Sequence, residues 1–493
     1  MHRDDYVIAV DFGASGGKMA AVRLGDQGVN FIDTFSFPNI PLQLGAGLYW
    51  DIAALYRSIL EGCSFFAAKY GKPLSIGIDT WGASYGFLDK KGRLAEPVYH
   101  YRDLRTDGAI EALYKRVSKW EIFELTGCQC ASSYTLVQLF AVLLEDDGIL
   151  DRVKHLLPLP DLLSYFLGGD ISAERTIAGT TAMTEPAQNG WSYELLQKLN
   201  IPTAFLPPLV KTGSIKGTLN SRIANETGLG SAPIVAAVAH DSAAAVAAIP
   251  GFDQHSLYIS IGTQISLGTY GDTPALDDAY YRGGFKNTGS ADGRIIIYRD
   301  FPAAWMINRV HAEWIKTGER LSFDDLDTLA AKAERGSLFN IEAPVIQEAG
   351  GIMSRAIEGL IKDAGQDIPR TKAEFIRSVM ESIALRVRYY ARKLAEARGF
   401  EFTKIWIISG GTRYKTLVQL IADALGRPVY TGLPYATLTG NAVSQFSALG
   451  KLELSDYGFN KSVISAAFTE RENGPGRDWR ADMEWAIARG ILG

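Results

Sequence analysis

The feature that most constrains the fold of this chain is residues 232–250, APIVAAVAHDSAAAVAAIP, where one His–Asp pair interrupts an apolar run. Residues 234–238 have the β-branched and small side chains of a buried strand, and the alanine-rich residues 242–249 predict a helix. Asp241 therefore falls at a strand-to-helix turn. Two interpretations are open: its carboxylate caps the first helical N–H groups, or it accepts a proton at the floor of a cleft.

Composition and charge restrict the class of protein. The chain has 493 residues, of which 47% are hydrophobic and 21% charged, as in a globular protein large enough for two domains. Its net charge of −5 gives no support to binding of nucleic acid or of an anionic membrane. The His–Asp pair inside the apolar run also argues against a membrane span. Three cysteines are too few for a disulfide framework, so we expect a reducing, cytoplasmic location.

Strand and helix patterns alternate along the chain, which predicts an α/β fold. Residues 6–24 predict a hairpin around the turn FGASGG, and residues 257–270 predict a second hairpin around Gly262–Thr263. Because each hairpin stands near the start of one half of the chain, we expect two domains, residues 1–250 and 251–493.

Glycine-rich turns at strand ends leave backbone N–H groups free to bind phosphate oxygens. The chain has three such turns, in FGASGG, ISIGTQ and ISGGT. Asp11 directly precedes the first turn, where a carboxylate is suited to Mg²⁺ or its water, and Ser15 and Lys18 add a hydroxyl and a positive charge. The sequence contains neither a Walker A motif nor GxGxxG after a strand. Three such turns, with Asp11 and Asp241 alongside, favour binding of nucleotide phosphates.

Seven motifs follow one another along the chain: DFGAS, GIDTWG, YRDLRT, PDLLSYFLGG, AHDSA, SIGT and SGG…TGN. In this order they resemble the FGGY-type carbohydrate kinases, and TWG, YRDLRT and HDSA are similar to patterns of the L-rhamnulokinases. The resemblance spans about residues 6–450. It implies the two-domain, actin-like (ribonuclease H-like) ATPase fold with a central cleft. ATP–Mg²⁺ is then expected against the C-terminal domain and a small sugar against the N-terminal one.

The resemblance also implies roles for individual residues. Asp241 would be the general base that takes the proton of a sugar hydroxyl as the bond to phosphorus forms, and Asp11 would serve the metal. The residues implied for the β- and γ-phosphates are Gly13, Ala14, Ser15, Gly262 and Thr263. Those implied for the nucleotide pocket are Gly410, Gly411 and Asn441.

Residues expected on the sugar side are Trp81, Gly82, Arg102, Asp103 and His240, and each has a second interpretation. Trp81 either stacks on a sugar or fills the core of its hairpin. Arg102 and Asp103 either bind hydroxyls or pair with each other. His240 either binds a hydroxyl or is a buried histidine whose hydrogen bonds are satisfied. Asp161 is expected to cap the helix that follows it.

Three departures from the rhamnulokinase pattern leave the sugar open. Ser84 stands where that pattern has an aspartate, Gln264 replaces a tryptophan, and SGGTR replaces a triple glycine. We therefore expect transfer of the ATP γ-phosphate to a ketose, an L-rhamnulose-like deoxyketose or a pentulose, with L-fuculose, xylulose and ribulose as alternatives. A non-catalytic sugar sensor and an actin-like ATPase remain further alternatives. The oligomeric state stays open, a homodimer included.

Overall fold

The computed structural model of the protein describes most of the 493 residues. The described residues are 5–14, 16–25, 28–145, 148–262, 264–302, 304–318, 320–347, 352–431, 435–452, 471–473 and 479–493. Ser15 and Thr263, two of the predicted phosphate-binding residues, lie outside them.

The described residues form two compact units. The first unit comprises residues 5–252, 270–297 and 435–452, so two segments of the C-terminal half of the chain belong to it. The second unit comprises residues 253–269, 298–431 and 471–493. In the parts of the chain that are described, no helix combines the length and the apolar character that a bilayer span requires.

The strands are β1 (Val7–Gly13), β2 (Gly16–Gly25), β3 (Gly28–Pro38), β4 (Leu42–Leu44), β5 (Gly47–Tyr49), β6 (Ile76–Thr80), β7 (Tyr85–Leu88), β8 (His155–Pro158), β9 (Ala173–Glu174), β10 (Leu209–Val210), β11 (Ile215–Thr218), β12 (Pro233–Val235), β13 (Ser256–Ile261), β14 (Gln264–Gly271), β15 (Lys286–Gly289), β16 (Ile295–Pro302), β17 (Lys404–Ile408), β18 (Val429–Thr431) and β19 (Arg471–Asn473).

The α-helices are α1 (Ile52–Tyr70), α2 (Ala109–Arg116), α3 (Lys119–Thr126), α4 (Thr135–Glu145), α5 (Leu159–Leu167), α6 (Arg175–Ala178), α7 (Tyr193–Lys198), α8 (Ser221–Thr227), α9 (Asp241–Ala247), α10 (Asp278–Arg282), α11 (Ala304–Lys316), α12 (Phe323–Lys332), α13 (Pro344–Gln347), α14 (Met353–Asp363), α15 (Lys372–Arg398), α16 (Lys415–Leu425), α17 (Ala436–Ala448) and α18 (Arg480–Ala488).

The first unit is built on a six-stranded sheet with the order β11-β12-β6-β1-β2-β3. Strands β1 and β2 form the predicted hairpin, and β1, β6 and β12 run parallel to one another. Alternate residues of β1, such as Ile8 and Val10, pack in one core cluster with Leu55 and Ile59 of α1. Side chains on successive strand residues point to opposite faces, so Asp11 faces away from that core.

Helices α9 and α17 pack against each other and against β1 and β6. Gly440 in α17 allows this close packing: a Cβ atom there would lie 2.0 Å from the carbonyl oxygen of Ala244 in α9. The side chains of α17 therefore reach the face of the sheet that carries Asp11.

The second unit contains the other predicted hairpin. Strand β13 pairs antiparallel with β14 and parallel with β17, and β17 in turn pairs parallel with β18. Strands and helices thus alternate in both units, as predicted for the α/β class.

Two local predictions need correction. The strand expected over residues 234–238 ends at Val235, and the helix expected over 242–249 begins one residue earlier, at Asp241. Asp161 does not cap α5: its carboxylate instead forms a buried ion pair with Lys216, which sequence spacing gives no reason to expect. Helix α1 is capped by Asp51, whose Oδ1 accepts the N–H of Ala54 at 2.9 Å.

Candidate active site

Two aspartates meet where parallel strands of the first unit end. In the register of β1 and β6, Asp11 lies directly beside Asp79, close enough for each carboxyl group to shift the pKa of the other. Adjacent strands are about 4.8 Å apart, so side chains at paired positions on the same face are close neighbours. The sequence predicted a role for Asp11 but none for Asp79.

A buried amide network holds Asp79 from the side of α17. Asn441 donates its amide N–H to Asp79 Oδ2 at 2.6 Å, and Gln445 donates to Asn441 Oδ1 at 2.7 Å. Asn441 and Asp79 are both fully buried. Asn441 thus belongs to the first unit with these carboxyl groups, whereas Gly410 and Gly411 belong to the second. The assignment of Asn441, Gly410 and Gly411 to the nucleotide pocket stays a prediction.

Asp241 is the first residue of α9, and the residue before it, His240, pairs with the last residue of β6. His240 forms an isolated parallel bridge with Thr80, directly after Asp79. Asp241 Oδ1 accepts the N–H of Ser242 at 2.5 Å and lies 3.4 Å from Nε2 of His240. The N-cap residue of α9 is His240, so Asp241 stands one position inside the helix and its carboxylate bonds the following residue of the first turn. With 31% of its side chain exposed, it is accessible to a ligand.

Burial and mutual repulsion dominate the electrostatics of these aspartates. Burial, followed by the charge of Asp241, raises the pKa of Asp11 to about 7. Burial, followed by the charge of Asp11, raises the pKa of Asp79 well above its usual range. Burial and mutual repulsion therefore favour the presence of a proton on this pair of carboxyl groups.

The donor set at Asp11 suits Mg²⁺. Carboxylate oxygens crowded at one sheet edge repel one another, and a divalent cation relieves that repulsion. No cluster of three His, Cys, Asp or Glu side chains with metal-binding geometry occurs among the described residues. Mg²⁺ commonly takes one or two carboxylates and completes its shell with water and phosphate.

A row of aromatic rings flanks this site. The ring of Trp50 lies 4.1 Å from that of Trp81 and 4.0 Å from that of His100, and His100 lies 4.6 Å from Tyr101. The charge of Asp241 is among the causes that raise the pKa of Tyr101, which places this ring near the carboxylate. Burial, followed by the charge of nearby Arg102, lowers the pKa of His100 to about 4, so His100 is neutral at physiological pH.

Ser84 orders this aromatic row. Its hydroxyl accepts the indole N–H of Trp81 at 2.8 Å and that of Trp50 at 3.1 Å. Trp81 is 6% exposed and belongs to the main core cluster, so most of its surface packs as a core residue. The interpretation of Trp81 as a core residue is therefore supported, and its stacking on a sugar stays a prediction.

The other residues predicted on the sugar side have mainly structural contacts. Both carboxylate oxygens of Asp103 accept backbone N–H groups, from Leu48 at 2.6 Å and from Arg105 at 2.9 Å. Arg102 is exposed and stacks on Tyr101, 5.5 Å from the ring centre. Asp103 thus secures the turn of its own motif, which the spacing of YRDLRT did not reveal.

The side chain of Thr180 leaves no space for a side chain at Gly82. A Cβ atom there would lie 2.8 Å from Cβ of Thr180, whose hydroxyl accepts the N–H of Ala83 at 3.0 Å. Ala83 has a φ of +65°, a conformation that residues other than glycine seldom adopt. The TWGA turn is thus held in a strained geometry by Thr180.

The FGASGG turn is exposed at its tip and anchored at its base. The side-chain amide of Asn39 donates to the carbonyl of Gly13 at 3.0 Å, whereas Ala14 is exposed. Lys18 Nζ lies 4.2 Å from the centre of the Tyr435 ring, and its charge is one of the influences that lower the pKa of Asp11. Open backbone and a nearby cation are what an anionic phosphate requires.

The second unit brings its two glycine-rich turns together. Strands β13 and β17 run parallel, so Gly262 and Gly410 follow the same edge of the sheet, and the hydroxyls of Ser260 and Ser409 are 2.8 Å apart. Gly262 and Gly410 are exposed. Gly411, in contrast, packs against Ile261, since a Cβ atom there would lie 2.2 Å from Ile261 Cγ2.

Family models match nearly the whole chain. The model described as the FGGY family of carbohydrate kinases, N-terminal domain, matches residues 6–248, and its C-terminal counterpart matches residues 257–449. The chain belongs to the FGGY family of carbohydrate kinases. A curated relative of this FGGY kinase is the rhamnulokinase of Bacteroides thetaiotaomicron, 33% identical over 459 residues that cover 93% of each chain.

Solved structures show the same fold. A ligand-bound xylulose kinase from Lactobacillus acidophilus superimposes with a TM-score of 0.80 at 17% identity, covering 99% of the FGGY kinase described here and 96% of the other chain. A Plasmodium falciparum glycerol kinase with ADP gives a TM-score of 0.79 at 15% identity, with 99% and 96% covered. At these identities the likeness establishes the fold.

Proposed function

We propose that this FGGY kinase, an ATP-dependent sugar kinase by its family, transfers the γ-phosphate of ATP to a hydroxyl of a ketose of the L-rhamnulose type. We also propose Asp241 as the general base. The relative named rhamnulokinase, similar over 93% of each chain, supports this choice of sugar.

The observation that carries the proposal is the position of Asp241. Its partly exposed carboxylate follows His240, which pairs with Thr80 at the end of β6, and its charge raises the pKa of Asp11 and of Tyr101 in the aromatic row. A sugar that packs against aromatic rings can therefore present a hydroxyl to this carboxylate.

A sugar hydroxyl is a poor nucleophile until its proton is removed. In the proposed mechanism Asp241 accepts that proton as the oxygen attacks phosphorus. His240, 3.4 Å away, restrains the carboxylate, and neutral His100 helps to keep the rings of the aromatic row stacked. The FGASGG turn and Lys18 bind phosphate oxygens, as do the turns at Gly262 and Gly410.

Asp11 would hold Mg²⁺, with Asp79 beside it. Such an ion, when bound, neutralises negative charge on the transferring phosphoryl group. Asp11 itself contributes an anionic oxygen at the sheet edge, and Asn441 keeps the neighbouring Asp79 carboxyl in place.

The test combines a substrate panel with one substitution. ADP release from ATP–Mg²⁺ is measured with L-rhamnulose, L-fuculose, L-ribulose, L- and D-xylulose, D-fructose and glycerol, and L-rhamnulose should respond most strongly. Asp241→Asn should lower kcat by about 10²- to 10⁴-fold while sugar and ATP still bind, because the amide keeps the shape but cannot take the proton.

Asp89→Asn is the matched control, because Asp89 lies in an exposed turn where it pairs with Arg93. It should keep wild-type turnover. Retained turnover in Asp241→Asn would reject the base assignment, and a stronger response to another sugar would reject L-rhamnulose.

A further inference from the structure

The backbone in front of Asp241 is held by side-chain hydroxyls. After β12 ends at Val235, the N–H groups of Ala239 and His240 both donate to Thr176 Oγ1, at 3.1 Å and 3.2 Å. The N–H of Val238 donates to Ser444 Oγ at 3.1 Å. One threonine hydroxyl thus accepts the N–H groups of both residues that precede the proposed base, in addition to the bridge between His240 and Thr80.

Glu174 fixes that hydroxyl. Thr176 Oγ1 donates to Glu174 Oε2 at 2.5 Å, and the same oxygen accepts the N–H of Thr176 at 2.8 Å and of Ile177 at 3.2 Å. The hydroxyl of Thr212 donates to the other carboxylate oxygen. Because the proton of Thr176 is committed to Glu174, the lone pairs of the hydroxyl face Ala239 and His240.

A buried ion pair anchors Glu174 in turn. Lys216 Nζ lies 2.5 Å from Asp161 Oδ1, and the two side chains are 1% and 3% exposed. The carboxylate of Asp161 also accepts the N–H of Glu174, at 3.2 Å to Oδ2. The chain of contacts therefore runs without a gap from Lys216 to the residue before Asp241.

The same short segment supports the TWGA turn. Thr180 lies four residues after Thr176; its hydroxyl accepts the N–H of Ala83 and donates to the carbonyl of Ile177 at 2.7 Å. Two turns that border the candidate site thus rest on residues 174–180, which carry no recognisable catalytic motif.

We propose that Glu174 and Thr176 are positioning residues that hold the Asp241 carboxylate at the sugar hydroxyl. The proposal rests on the role of Asp241 given under the proposed function. Proton transfer needs the two oxygens within hydrogen-bonding distance, and an error of about 1 Å can cost about 100-fold in rate.

The test compares Thr176→Val, which keeps the shape and removes the hydroxyl, with Thr176→Ser, which keeps the hydroxyl. We expect Thr176→Val to lower kcat by about 10- to 100-fold with KM for sugar and ATP within about threefold of wild type. Thr176→Ser should restore most of kcat. Amide hydrogen exchange of a peptide covering residues 236–245 should accelerate in Thr176→Val alone.

Thr227→Val is the matched control, because Thr227 is a buried threonine whose hydroxyl bonds only around its own helix end, to Ile223 and Leu229. It should keep wild-type kcat. Equal kcat in Thr176→Val and wild type would overturn the proposal, as would an equal loss in Thr227→Val.

Thr212→Val covers the case in which Thr176→Val does not fold, since Thr212 is half-buried and touches only the far oxygen of Glu174. A kcat lowered by about two- to fivefold at unchanged KM supports the proposal, and an unchanged kcat rejects it.

Asp241→Asn distinguishes failure of the general-base assignment from failure of the positioning role. Wild-type turnover there rejects the base itself, whereas an inactive Asp241→Asn beside a fully active Thr176→Val rejects only the positioning role.

Discussion

Ser84 takes its role from two indole rings, one three residues away in the sequence and the other thirty-four residues away. As a replacement for an aspartate it suggested a lost sugar ligand, but the side chain is 2% exposed and its hydroxyl accepts two indole N–H groups. Buried donors without acceptors are costly, so the hydroxyl stabilises the arrangement of Trp50 and Trp81. Its influence on the sugar is therefore indirect, through the aromatic row.

Glu174 gives a prediction of pH dependence at the residue scale. Burial raises its pKa from 4.5 to about 7, against hydrogen bonds from Thr176 and Thr212 that lower it; the charge of Asp161 adds to the rise. The folded protein then keeps a proton that the unfolded chain releases above pH 4.5. The stabilisation from this group is fully present below pH 4.5 and is lost as the pH rises through 7.

Glu174→Gln removes this titration and keeps the hydrogen-bonding shape. From pH 4.5 to 7, the unfolding free energy of the variant should rise relative to wild type by up to about 3 kcal/mol. Asp161 and Lys216, which face this site, remain in both proteins and cancel in the comparison. Urea unfolding at several pH values measures the difference, and a difference that stays constant with pH would refute the shift.

At the scale of elements, the contact between α9 and α17 joins the proposed base to the amide network. Gly440 touches α9 at Ala244, three residues after Asp241, and the next residue, Asn441, binds Asp79. A helix pair this close depends on the missing side chain.

Gly440→Ala should therefore destabilise the protein. Its Cβ atom would lie 2.0 Å from a backbone oxygen, which can move only with its helix, so we expect a cost of about 1–3 kcal/mol. Gly359→Ala is the control: Gly359 is an exposed residue of α14, and no atom lies within 4 Å of the added Cβ. That change should stabilise its helix by up to about 1 kcal/mol. Thermal unfolding measures both, and equal midpoints would contradict the assignment.

Elements with local signals were predictable from sequence. The hairpin of β1 and β2 follows from alternation around a glycine-rich turn, and α1 from its cap at Asp51. The role of Asp79 could not be predicted, because it depends on the register between two strands more than sixty residues apart. Thr176 shares this difficulty, since its partners Ala239 and His240 are 63 and 64 residues away.

At the scale of the whole molecule, the candidate groups divide between the two units. Asp11, Asp241 and the aromatic row belong to the first unit, and the paired turns at Gly262 and Gly410 belong to the second. If the second unit binds the nucleotide, a change at its turns should affect ATP and leave the sugar unaffected.

Gly410→Ala tests this division because the added methyl group meets no atom within 4 Å and should not disturb folding. A methyl group on an exposed turn that approaches a phosphate should raise KM for ATP by about tenfold, equivalent to about 1.4 kcal/mol, at unchanged KM for sugar. Gly411→Ala is the contrasting variant, since its Cβ atom would overlap Ile261 and should lower the unfolding midpoint. Steady-state kinetics with each substrate varied in turn give the answer. An unchanged KM for ATP in Gly410→Ala would remove this turn from the nucleotide site and leave phosphate binding to the FGASGG turn, Lys18 and the turn at Gly262.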